Sequence, residues 1–289
     1  MTLQQIKEIK AIDFHSHFGP YGRMPEGVKP IIATHGNDAF AWPISDYSGT
    51  LEHLVKNMDL ANISISINSC NYAFYPRGYN DSYKANQILL EQLNESDPGV
   101  LMWAVIDPRD PETFAQSADL LQHPKCMGIK IHPEEHLYPI KEEGEKIFAF
   151  AAEHNAMIIT HSGEGNSLPE DFSVFANRYP EVTVLVSHMG CGYDGNMDHH
   201  IKAIEMSKHG NLYTDTSSAS IITTCFLEYA VNRIGSDHIL FGTDSSCYFA
   251  PSMRARVDCA DIADEDKMNI LFRNGLQALS RLKEIYQSL

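Results

Sequence analysis

A single (β/α)8 barrel over residues 1–289, closed or somewhat distorted, is the fold this chain predicts, on three observations. Eight short β-rich runs recur along its 289 residues, and from the third onward their starts lie 25 to 30 residues apart. That interval holds one strand, one helix and two loops, the alternation that builds a parallel sheet. The stretches between the runs carry helical patterns, and no linker divides the chain into two cores. A doubly wound open sheet is the main competitor, but its Gly-rich dinucleotide turn is missing after every strand. Barrels of this length commonly remain one domain.

The elements read in order as follows. The first strand is Ala11–His17, followed by a long Gly- and Pro-containing loop over residues 18–49, the kind of segment that serves as a lid or substrate contact. Thr50 caps a helix whose apolar face is Leu51, Leu54, Val55 and Met58, leading to the strand Ile63–Cys70. After Leu101–Asp107, Asp110 and Pro111 supply a cap and a first-turn proline ahead of Phe114, Ala118 and Leu121. The strands Met127–His132, Met157–His161 and Val182–His188 come next, then a helix around Ile201 and Ile204 that stops at Gly210. Asn211–Thr216 precedes a helix around Phe226 and Ala230, stopped by Gly235, and His238–Asp244 is the eighth strand. Asp264 opens a last helix burying Met268, Leu271, Phe272, Leu276 and Leu279.

Charge and cysteine usage narrow the function classes. The net charge is −16, from 22 basic and 38 acidic residues. This excludes nonspecific nucleic-acid binding, which needs a basic face to neutralise phosphates. No stretch approaches the roughly 20 apolar residues that span a bilayer, and the N-terminus lacks a secretory apolar run. Six dispersed cysteines without a C-x-x-C pair favour a reduced, cytoplasmic protein. A small molecule is the expected partner; a homo-oligomer suits such a barrel, but no residue demonstrates one.

In a barrel the C-terminal strand ends share one face, where active sites sit. Strand one ends Asp13-Phe-His15-Ser-His17, and residues two apart share a side of an extended chain, so His15 and His17 present two imidazoles together. Three other ends carry His161, His188 and Asp244. Val182, Val184 and Val186 share the parity of His188, and Leu240 and Gly242 that of Asp244, so both inward faces read as apolar up to a polar tip. A lone histidine is more often a hydrogen-bonded core residue, and an H-x-H pair recurs by chance. Four strand ends each delivering a ligand-type residue point to a divalent ion. Imidazoles with a carboxylate suit zinc foremost, with manganese or iron as alternatives. Such an ion brings the pKa of a bound water near neutrality, and His188 and Asp244 are the candidates to move protons beside it.

At Ile12-Asp-Phe-His-Ser-His17, Gly128-Ile-Lys-Ile-His-Pro133, Thr160-His-Ser-Gly163, Ser187-His-Met-Gly190, Leu240-Phe-Gly-Thr-Asp-Ser245 and Ile270-Leu-Phe-Arg-Asn-Gly275, the sequence resembles the amidohydrolase superfamily, in its amidohydrolase-related (amidohydrolase 2) branch. The resemblance runs over essentially the whole chain. It implies His15, His17, His161 and Asp244 as metal ligands, with His188 as an acid/base. Binuclear members use a carboxylated strand-four lysine to bridge two ions, which would recruit Lys130 and His188. One ion is the favoured reading, leaving His188 free for proton transfer and Lys130 as a cationic contact to a substrate carboxylate or oxyanion.

Other residues are placed with less specificity. His132-Pro-Glu-Glu-His136 matches H-x-x-E-H, but its proline and its position directly after a strand make it a loop. His132 lines the site from its strand end. His199 and His200 are adjacent and read as a solvated helix face. Asp215 ends strand seven, as a substrate contact or a residue orienting a ligand, against an equally good reading as a structural carboxylate. Arg77, after strand two, is a candidate clamp for an anionic substrate against the default of a surface arginine. Cys70, Cys191 and Cys247 fall near strand ends and read as buried packing. The expected activity is hydrolysis of an ester, lactone or amide. Non-oxidative decarboxylation or hydration of a carboxylated substrate on the same site is the alternative, and a non-catalytic metal-binding barrel is third.

Overall fold

The computed structural model describes residues 1–29, 31, 49–93 and 97–289. Eight parallel strands follow one another in chain order around one sheet: β1 (Ala11–Phe18), β2 (Ile63–Cys70), β3 (Val100–Val105), β4 (Cys126–Ile131), β5 (Met157–Thr160), β6 (Val184–Val186), β7 (Leu212–Asp215) and β8 (Ile239–Leu240). The seam between β8 and β1 is drawn together by Phe14 N–H donating to Phe241 O at 3.0 Å, Asp244 N–H to His15 O at 2.7 Å, and a Ser16–Ser245 bridge. The predicted barrel is thus observed, nearly closed. No helix among the described residues is long and apolar enough to cross a membrane.

Two apolar layers hold it. Ile12, Phe14, Ile65, Ile67, Leu101, Trp103, Ile159, Leu185 and Leu240 fill the interior, and the C-terminal helix Leu282–Ser288 contributes Leu282 to this cluster. A larger cluster lies between strands and helices and includes Leu54, Leu89, Phe148, Phe172, Val184, Val186 and Leu227. Side chains of alternate parity along each strand supply the two layers.

The strands are shorter than the sequence suggests, because the backbone leaves the ladder before the polar tips. The parity argument for β6 is overturned: Val182, Val184 and Val186 pack outward with the helices, and Leu185 faces the interior. Thr50 does cap the helix Leu51–Ala61, accepting from His53 N–H at 3.1 Å. The helix Glu112–Leu120 takes Pro111 as its cap residue, while Asp110 accepts the Glu112 N–H at 3.1 Å. Helix Phe226–Ile234 ends at Gly235 as expected, but helix His199–Met206 ends at Ser207, short of Gly210. The helix opened by Asp264 continues through a π turn at Asn269–Arg273 to Ala278 and is not the last, since Leu282–Ser288 follows. Most of the expected loop over residues 18–49 lies outside the described residues.

Candidate metal centre

Bulges aim the polar side chains inward. On β1 the step from Asp13 to Ser16 is matched on β2 by the shorter step from Ser66 to Asn68. The extra residue shifts the alternation, so His15 and His17 reach the interior although Ile12 and Phe14, of opposite parity, fill it below. A similar irregularity in β4, between Cys126 and Ile129, precedes Lys130. His188 and Asp244 turn into the mouth by backbone conformation: both have positive φ, 73° and 52°. For non-glycine residues that is a strained geometry of the kind found at functional sites.

Ligand atoms of His15, His17 and Asp244 all lie within 4.8 Å of one another. Nε2 of His15 is 3.2 Å from Nε2 of His17. Asp244 Oδ1 stands 3.1 Å from the His17 Nε2 and 3.5 Å from the His15 Nε2. The opposite ring nitrogens are engaged from behind: Nδ1 of His17 by Ser69 Oγ at 3.0 Å, and Nδ1 of His15 by Asp215 Oδ2 at 3.2 Å and Ser217 Oγ at 3.1 Å. Such rear contacts orient ligating imidazoles. Burial, reinforced by Lys130 and neighbouring histidines, pushes His15 well below the ordinary imidazole range. Burial also lowers His17, although Asp244 opposes it. Two neutral imidazoles and a carboxylate with converging donor atoms fit a divalent ion.

The other expected residues surround this triple. Lys130 is fully buried, with Nζ 2.9 Å from the His15 Nε2. Burial lowers its pKa to about 8, against the pull of Asp244 and Asp215. His188 stands with its ring centre 4.7 Å from that of His15 and 4.6 Å from that of His161. His161 lines the same cavity but is outside the close donor group: its Nε2 contacts Glu164 Oε1 at 2.8 Å, and its ring stacks on His132 at 4.2 Å. Asp215 is fully buried behind the site; beyond His15 it accepts the His188 N–H at 2.9 Å. Asp13 receives the His15 N–H at 3.1 Å, the Thr243 N–H at 3.0 Å and the Thr243 hydroxyl at 2.6 Å, tying the β1 and β8 ends together. Burial raises its carboxyl to about 7 despite these bonds.

The cavity above measures about 300 Å³. Its walls combine the aromatic residues Phe74, Tyr75, Tyr193 and Tyr248 with Arg77, Glu135 and Glu164, and both Cys191 and Cys247 reach it. Arg77 is nearly buried, contrary to a surface default, and holds Glu135 through Nε at 3.2 Å and an η nitrogen at 2.7 Å. The segment 132–136 is a loop, as expected, and its Glu135 N–H bonds the His132 Nδ1 at 3.3 Å. The reading of His199 and His200 as solvated is wrong. His200 is fully buried against Ser187 O at 2.8 Å and Ser162 Oγ at 3.0 Å, and His199 lies between Glu170 and Asp194. Ser69, Glu135, Glu164 and Ser217 escaped sequence reading. Glu135, inside the H-x-x-E-H match, Glu164, three residues after His161, and Ser217, two after Asp215, carried a positional hint.

An eight-stranded barrel with His15 and His17 at the end of β1 and Asp244 just after β8, all at one mouth, is the class of protein that the fold and site define. The amidohydrolase family model matches residues 12–268, so the chain belongs to the amidohydrolase family. No curated protein sequence matches it. Among solved structures it is similar to 2,6-dihydroxybenzoate decarboxylase from Rhizobium, at 14% identity and a TM-score of 0.65, over 93% of this chain and 98% of that one. The dihydroxybenzoic acid decarboxylase of Polaromonas sp. JS666, with bound manganese and the inhibitor 2-nitroresorcinol, aligns at 16% identity and 0.66, over 95% and 99%. The 5-carboxyvanillate decarboxylase of Sphingomonas paucimobilis aligns at 12% and 0.68, over 94% and 99%.

Proposed function

We propose that this protein is a metal-dependent, non-oxidative decarboxylase of a small carboxylated aromatic acid. The observation that carries the reading is the pairing, in one cavity, of the His15–His17–Asp244 donor group with aromatic walls and the buried Lys130. The activities of the similar barrels lend it support, and this preference replaces hydrolysis, the first expectation from sequence. His15, His17 and Asp244 would hold one ion, with His161 completing the set on exchanging Glu164 for it. Manganese, present in the Polaromonas structure, is the first metal to test, ahead of zinc. When bound, the ion supplies positive charge against the substrate carboxylate and a neighbouring oxyanion.

The chain's own residues do the rest. Phe74, Tyr75, Tyr193 and Tyr248 would give an aromatic substrate ring apolar walls. Lys130 balances substrate negative charge in this buried space, and Arg77, paired with Glu135, lines the same cavity. Decarboxylation replaces the carboxylate by a proton: the carbon gains H⁺, its bond to the carboxylate breaks, and CO2 leaves without water being consumed. Asp244 and His188, both facing the cavity, are the residues that deliver and accept protons.

The test is an assay of the manganese-loaded protein on 2,6-dihydroxybenzoate, 5-carboxyvanillate and related acids, following CO2. Turnover is expected, and Asp244→Asn should lower it by about 10²–10⁴-fold, the range of a general acid–base group, while part of the metal is retained. Cleavage of esters or amides with uptake of water, and no CO2 from any acid, would return the site to hydrolysis.

A further inference from the structure

Behind the donor group, three side chains form a second cluster of metal-ligand type: His15, His188 and Asp215. Its centre is already filled by a hydroxyl. Ser217 Oγ lies 2.9 Å from Nδ1 of His188 and 3.1 Å from Nδ1 of His15, and it hydrogen-bonds Asp215 Oδ1. All four residues are buried.

The donors and acceptors around Ser217 give each bond a direction. A hydroxyl has one proton to donate and two lone pairs to accept with, whereas an ionised carboxylate only accepts. Asp215 Oδ1 already receives the N–H groups of His188 and Ser217, at 2.9 and 3.1 Å, which mark it as an acceptor. The Ser217 proton therefore goes to Asp215, and its two lone pairs face the two imidazoles. Each imidazole must then carry its proton on Nδ1. An independent contact agrees: Lys130 Nζ, a donor, approaches the opposite nitrogen of His15 at 2.9 Å.

We propose that Ser217, held by Asp215, is a positioning residue that fixes His188 as the Nδ1–H tautomer and leaves its Nε2 lone pair as the nitrogen available to the cavity. His188 is thereby a proton acceptor at Nε2. Resting on the decarboxylase reading, this assigns it the proton of a substrate hydroxyl and leaves delivery to carbon to Asp244. The tautomer itself does not depend on that reading.

The experiment is long-range ¹H–¹⁵N correlation spectroscopy of the zinc-loaded, ¹⁵N-histidine-labelled full chain, with His188→Gln used for assignment. Wild type is expected to show His188 protonated at Nδ1. Ser217→Ala should convert it to the Nε2–H form or a mixture, and Ser217→Thr, which keeps the hydroxyl, should restore the original pattern. On any substrate turned over, Ser217→Ala should lower kcat about 10–100-fold, as loss of an outer ligand contact does, with KM changed by less than about twofold. A wild-type spectrum with His188 protonated at Nε2 overturns the proposal, whether or not the variants fold. So does a Ser217→Ala protein with an unchanged spectrum. Absence of decarboxylation alongside the expected spectra would count against the decarboxylase reading alone.

Discussion

Individual residues hold the mouth together through contacts that cross strands. Thr243 illustrates this: its hydroxyl donates to Asp13 Oδ2 at 2.6 Å and receives the Ser245 N–H at 3.1 Å, one residue before Asp244. Thr243→Val preserves shape but strands a buried carboxylate oxygen and a backbone donor. The expected cost is about 1–3 kcal/mol, the range for leaving a buried polar group unsatisfied. Denaturant unfolding would measure it, with no loss expected if solvent reaches Asp13. His15, His17 and Asp244 were legible because their chemical types recur at strand ends. Ser217 was not, since a serine acquires meaning only from the ring nitrogens around it. His199 and His200 misled for a related reason: polarity suggested solvent, but Ser162 and Ser187 hold His200 in the interior, and Glu170 and Asp194 bracket the buried His199.

Elements are joined by ion pairs as well as by apolar faces. Glu228, in helix Phe226–Ile234, accepts from Arg256 of helix Ala250–Asp258 and from the Asp261 N–H at 3.0 Å. Burial alone would raise its carboxyl, but the Arg256 hydrogen bonds and the Asp261 N–H reverse this and hold it near 2. A carboxyl with a depressed folded-state pKa stabilises the fold above its unfolded pKa, and that contribution is lost as pH falls through the folded value. Glu228→Gln should therefore lower Tm at pH 7 and differ progressively less from wild type as the pH falls from about 4.5 towards 2. An equal difference at every pH would contradict this account. The capped helix after Thr50 was readable because its signals are local. The end of helix His199–Met206 was not, since the backbone turns extended at Ser207 and the Lys208 N–H goes to the distant Asn177 Oδ1 at 2.7 Å, before Gly210 is reached.

At the scale of the whole molecule, the donor groups come from β1 and from the segment after β8, the two sides of the barrel's seam. A bound ion would cross-link that seam, so its binding energy adds to folding stability. At free metal a hundred times Kd the gain is about 2.7 kcal/mol. Calorimetry of manganese-loaded protein against protein in EDTA should show the metal-free form melting lower. Equal melting temperatures at saturating metal would contradict a metal site bridging the seam.

The sequence by itself determined the barrel, the face on which the polar strand ends gather and the ligand-type side chains that converge there, because strand spacing, apolar periodicity and ligand type are local properties of the chain. Tertiary structure decided how those side chains meet. Bulges in β1 and β4 re-aim His15, His17 and Lys130, and positive φ turns His188 into the mouth, where strand parity alone would misplace them; Asp244 shares the parity of the inward-facing Leu240. It also decided that Glu164 engages His161, that Glu135 engages Arg77, and that one serine hydroxyl lies between two imidazoles. The contacts of Glu135 and Ser217 join segments tens to hundreds of residues apart, set by the closure of the barrel, which no local pattern encodes, whereas Glu164 meets His161 within the single loop after β5.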